Sequence, residues 1–123
     1  MNYLRVYTGP DGQTHFEDVE VPTVQRELWA GIPPFDVAQP IPVSSVILLR
    51  YPEQATREPG WHLAPRRQFV IFNKDVEMEV SDGQRRHVSA GNPILVEDMT
   101  GKGHNTRALV EGDALILFLP LVE

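Results

Sequence analysis

The chain has 123 residues, of which 41% are hydrophobic and 23% charged, enough for one hydrophobic core, too few for two, and unlike a disordered segment. It has no cysteine and a formal net charge of -6, which excludes disulfides, thiolate metal ligands and a thiol nucleophile and disfavours nucleic acid as a partner. No apolar run reaches bilayer length and residues 1–12 lack a secretory apolar core, so no membrane is expected as a partner and the expected location is cytoplasmic.

Eleven prolines and nine glycines are spread along the chain and cut it into short segments. His15 falls in an exposed turn by this reading. Residues 24–30 have some helical periodicity, but Pro22 and Pro33-Pro34 limit any helix to at most two turns, so residues 22–42 are expected to form a loop-like arm. Apolar or alternating runs follow at residues 43–49, 69–72, 76–80, 94–96, 108–110 and 114–119, each short and several rich in β-branched residues. They predict strands, and their spacing predicts an all-β sandwich or barrel. The clearest hairpin is Val76-Glu77-Met78-Glu79-Val80 followed by Ser81-Asp82-Gly83-Gln84, because strict alternation meets an Asp-Gly turn signal. The doublets Arg66-Arg67 and Arg85-Arg86 have no interleaved aromatics and are read as solvated positions, with His87 exposed on the hairpin.

Two segments place proton-active side chains within apolar surroundings. The first is Gly60-Trp61-His62-Leu63-Ala64-Pro65-Arg66-Arg67-Gln68-Phe69-Val70-Ile71-Phe72. Alternate side chains of an extended chain share a face, so His62, Ala64 and Gln68 point the same way if the pleat continues through Pro65. The second is Gly91-Asn92-Pro93-Ile94-Leu95-Val96-Glu97-Asp98-Met99-Thr100-Gly101-Lys102-Gly103-His104, a strand that ends in a Gly-rich turn and restarts at a histidine.

These segments resemble the two motifs of the cupins, the first in spacing and the second with about two extra residues in its turn. The phrases His-x-Ala-Pro-Arg-Arg-Gln and Glu-Asp-x-Thr-Gly-Lys-Gly-His resemble small bacterial single-domain members of that superfamily. The resemblance implies an all-β, RmlC-like double-stranded β-helix, or jelly-roll barrel. It makes residues 1–123 one cupin domain, with residues 1–42 as N-terminal strand and arm and residues 43–123 as barrel core. It also implies a homodimer in which the segment from Asn2 to Tyr7 adds to a neighbour's sheet. Metal-holding members use three histidines and a glutamate; here the corresponding slots carry His62, Ala64, Gln68 and His104. Any divalent ion on His62, Gln68 and His104 is therefore expected to be weakly held, and the expected cofactor is none or such an ion. Glu97 or Asp98 could complete a facial triad only through an unusual turn, and a turn-capping role suits Asp98 better.

The leading expectation is a small-molecule enzyme of lyase or isomerase type, in which His62 and His104 transfer protons and Gln68 fixes geometry. Arg66, Trp61, Phe72, Glu97, Thr106 and Phe118 are the candidate substrate-binding residues, Arg66 as a carboxylate clamp. The alternatives are a non-catalytic module that binds a small ligand and a metal-dependent dioxygenase or hydrolase.

Overall fold

The computed structural model describes residues 1–57 and 60–123. In chain order its elements are β1 (Asn2–Thr8), β2 (Thr14–Glu20), β3 (Thr23–Arg26), β4 (Phe35–Ala38), β5 (Ile47–Tyr51), α1 (Glu53–Arg57), β6 (Gln68–Phe72), β7 (Val76–Val80), β8 (Arg85–Val88), β9 (Ile94–Val96), β10 (His104–Ala108) and β11 (Ala114–Pro120). The protein is nearly all β. A six-stranded sheet has the order β2-β1-β9-β6-β11-β5, a three-stranded sheet the order β10-β7-β8, and β3 and β4 pair only with each other. Among the described residues the sheets stay open, with β2 and β5 as the edges of the larger one.

Alternation explains how the two main sheets face each other. Leu4 and Val6 of β1, Val70 and Phe72 of β6, Ile94 and Val96 of β9 and Ile116 of β11 point inward from the large sheet. Val76, Met78 and Val80 of β7 and Val88 of β8 meet them from the small one. The intervening Glu77 and Glu79 reach outward, where Arg85 and Arg107 pair with them. Phe69 and Leu95 are buried on the opposite face of the large sheet, Phe69 with its ring edge-on to Tyr3 at 5.1 Å.

The Asp-Gly turn forms as expected: β7 and β8 pair antiparallel around a three-residue loop, 81–83, in which the Gly83 N–H donates to the Val80 carbonyl at 3.1 Å and Gly83 takes the left-handed position at a φ of 96°. The runs at 69–72, 76–80, 94–96 and 114–119 also lie in strands. Four expectations need correction. Of the run at 43–49 only residues 47–49 lie in a strand, β5, while Val43 makes an isolated bridge to Leu121. Residues 109 and 110 lie outside the strands, because β10 is built from the more polar His104-Asn105-Thr106-Arg107-Ala108 upstream. The arm is a hairpin rather than a loop, and Val24 lies in strand, not helix. Segment 2–8 is bonded on both sides within its own chain, to β2 antiparallel and to β9 parallel, so no free strand remains there for a neighbour.

His15 also departs from the sequence reading, since it sits in β2 rather than in a turn. Its ring bridges Asp82 at 2.8 Å and Asp11 at 3.2 Å, and the hydrogen bond to Asp11, then that to Asp82, raises its pKa above the usual imidazole value. A raised folded-state pKa contributes stability that is present below the unfolded value and lost as pH rises through the folded one. NMR titration of the His15 ring should therefore give a midpoint above 6.5. In a His15→Gln variant, stability should lose the component that falls as pH rises across that midpoint.

Candidate functional site

Between the sheets lies a cavity of about 470 Å³, within the range of small-molecule sites. Its walls are mainly apolar, supplied by Val70, Phe72, Met78, Ile94, Ile116 and Phe118. The polar lining includes His62, Gln68, His104 and Thr106, with Arg50 and Tyr51 contributing from β5. Burial pushes the Tyr51 phenol up, which keeps it neutral.

Each polar group is placed by strand geometry. His104 and Thr106 alternate along the inward face of β10, opposite Val80 and Met78 of β7. Gln68 opens β6 in phase with Val70 and Phe72. His62 belongs to no long strand, but its backbone forms an isolated antiparallel bridge to His104, with N–H···O distances of 3.0 Å in both directions. The bridge depends on Gly103. Its φ is 76°, and a β-carbon there would stand 2.3 Å from the carbonyl oxygen of His62. The two imidazoles meet edge-to-face with centroids 4.6 Å apart.

Hydrogen bonding fixes how each ring presents itself. The Nδ1 of His62 lies 2.9 Å from the carbonyl oxygen of Gly60, which can only accept, so Nδ1 carries the proton. The Nδ1 of His104 lies 2.5 Å from Oδ2 of Asp98 and donates to it. In both neutral rings Nε2 is left as the acceptor. Asp98 is fully buried, and its Oδ1 has no partner. Its backbone carbonyl accepts from the N–H of Ala64, which ties the two motif segments together a second time. Asp98 is thus an orienting group for His104, a role that its six-residue spacing from the histidine did not disclose.

Gln68 is 1% exposed, and its Oε1 has no hydrogen-bond partner. An unpaired buried acceptor costs about 1–3 kcal/mol, so this amide is not there to stabilise the fold.

The structure brings His62, Gln68, His104, Phe72, Thr106 and Phe118 to the cavity wall, and leaves three other candidates outside it. Arg66 and Trp61 are exposed and line no part of the cavity. Glu97 points to the other side of the sheet, 2.5 Å from Nε of both Arg5 and Arg67. Burial pushes its pKa up, but the bonds from the two arginines outweigh that and hold it below the usual carboxylate value. Adjacent residues at a strand end face opposite ways, so Glu97 serves the outer surface and Asp98 the inner one.

As a metal site the donor set is thin. Among the described residues no three His, Cys, Asp or Glu side chains are grouped to hold an ion. Two imidazoles and a neutral amide oxygen place no anionic ligand in the cavity, which does not fit a firmly retained divalent ion. No helix among the described residues is long and apolar enough to cross a membrane. Neither a scan against family models nor a search of curated proteins finds a match to this chain.

Proposed function

We propose that the protein is a small-molecule enzyme of lyase or isomerase type, built on a cupin-type jelly roll, that moves protons without a firmly held metal. The observation that carries this is the line Asp98–His104–His62 at the polar end of an apolar cavity. His104 is the base. The Asp98 carboxylate holds its Nδ1–H and favours the imidazolium that forms when Nε2 takes a proton from the substrate. His62 is exposed and bonded only to a neutral carbonyl, so it suits the exchange of a proton between substrate and water. Two facing sheets, with His104 on β10 and His62 tied to it by an isolated backbone bridge, support the cupin reading.

The test is proton NMR in heavy water with a panel of apolar ketones and hydroxyketones, following exchange of the proton next to the carbonyl. Enzyme-dependent exchange that survives a chelator supports the proposal. Absence of exchange across the panel, with the same compounds bound tightly, would favour the non-catalytic binding module, which the apolar lining also suits.

A metal-dependent dioxygenase or hydrolase is the second reading, and one feature favours it. Both rings donate Nδ1–H to an oxygen, as metal-ligating histidines do, and His62, His104 and the Gln68 amide would be the donors. Such an ion would supply Lewis-acid chemistry. With no anionic ligand it should leave under mild chelation, and Ala64→His with Gln68→Glu should raise metal affinity by orders of magnitude. Calorimetric titration with zinc, before and after the double substitution, checks this. A stoichiometric ion that resists chelation in the native protein would promote the metal reading.

A homodimer remains part of the proposal, on different grounds from the N-terminal strand. The β2 edge carries Glu17, Asp18 and Glu20, which oppose pairing with a like copy, whereas the β5 edge shows Leu48 at 79% exposure. Sedimentation over a range of concentrations should detect self-association that Leu48→Lys weakens. A monomer at every concentration would refute it.

A further inference from the structure

Among the described residues, the polar end of the cavity is rich in acceptors and poor in positive charge. Oε1 of Gln68 lacks a donor, and the bonds made by Nδ1 of His62 and His104 leave each Nε2 as an acceptor as well. Among the described residues Arg50 is the only lysine or arginine in the lining, and its side chain is 72% exposed and faces Asp113 at 3.7 Å. Arg66 is outside, and Arg67 is engaged by Glu97 and Glu123. A carboxylate or phosphate that entered would lose its water and find the Asp98 carboxyl behind His104 rather than a cation.

We propose that the ligand of this cavity is an uncharged, largely apolar molecule carrying a hydroxyl group, an alcohol, enol or phenol, whose O–H donates to Oε1 of Gln68. The inference rests on the reading of the cavity as a substrate site and names the substrate class. The hydroxyl end lies against the two imidazoles, and the body lies among Val70, Phe72, Met78, Ile94, Ile116 and Phe118. A methyl ether of the same shape would leave Oε1 unpaired, and so would be rejected relative to the hydroxyl compound.

The experiment is calorimetric or fluorescence titration of the full chain with 2-naphthol, 2-methoxynaphthalene and 2-naphthoate at neutral pH in the presence of a chelator. The expected result is 2-naphthol binding roughly tenfold or more tighter than its methyl ether, with no measurable binding of the carboxylate. Gln68→Leu should bring 2-naphthol and the ether to the same affinity while the ether is still bound. If that variant fails to fold, Gln68→Met provides the same comparison. No measurable binding of 2-naphthol, equal or tighter binding of the ether to the native protein, tight binding of 2-naphthoate, a preference that needs a divalent ion, or one that persists without Gln68 would overturn the inference. Failure of the enzyme reading is separate: the hydroxyl preference would stand while no proton exchange is seen in heavy water.

Discussion

Under the proposed proton-transfer mechanism, Asp98→Asn is expected to lower the exchange rate by about a hundredfold to ten-thousandfold while the fold survives, because the side chain keeps its size and loses its charge. The amide can turn its NH₂ toward Nδ1 of His104, which then accepts, and the proton moves to Nε2. Both functions of the dyad fail at once: the cavity-facing nitrogen no longer accepts, and the imidazolium loses its counter-charge. A purely structural Asp98 would leave the tautomer alone, so nitrogen NMR of the His104 ring is the deciding readout. An unchanged tautomer together with an unchanged rate would refute the role given to Asp98, as would a rate lost only in proportion to folded protein.

Gly103→Ala should have the largest effect on stability of any Gly→Ala substitution in the chain. The new β-carbon would lie 2.3 Å from a backbone oxygen and 2.6 Å from its carbon, neither the far end of a flexible side chain. Backbone conformation adds to this, since a non-glycine residue at a φ of 76° costs about 1–2 kcal/mol by itself. Together they should exceed about 3 kcal/mol in urea unfolding, or else separate the two histidine segments and empty the site. Gly83→Ala is the internal control. It shares a positive φ of 96° but would have no atom within 4 Å of its new methyl, so it should lose only the conformational part. Similar losses for the two variants would mean that the close approach of Gly103 to His62 carries no weight.

The fold was legible where local chemistry and burial agree. Val76 to Val80 alternates because one face is core and the other meets Arg85 and Arg107, and the following Asp-Gly needs no tertiary partner to turn. Residues 108–110 misled for the opposite reason. They are the more apolar part of that stretch, yet the strand runs through His104 and Thr106, whose inward direction is set by the cavity they line. His62 and His104 were recognisable as a pair from motif spacing. The distinction between Glu97 and Asp98 was not, since it depends on the pleat at the end of β9 and on two arginines from other parts of the chain, Arg5 in β1 and Arg67 just before β6. The value of Gln68 as an unpaired acceptor could not be read from sequence either, because a missing partner is visible only when every neighbour is in place.

The parallel pairing of β1 with β9 has a bearing on how the chain is made. Leu4 and Val6 can form a hairpin with β2 as soon as residue 20 has emerged, but their second partner, Ile94–Val96, is synthesised some ninety residues after them. β6 must then pair with β9 on one side and β11 on the other, so the large sheet cannot be completed until Ala114–Pro120 has left the ribosome. Contacts so distant in sequence give slow folding, of the order of milliseconds to seconds. During synthesis the β1–β2 hairpin waits with one edge unpaired and its apolar face uncovered, which makes the nascent chain, rather than the finished protein, the state most exposed to aggregation.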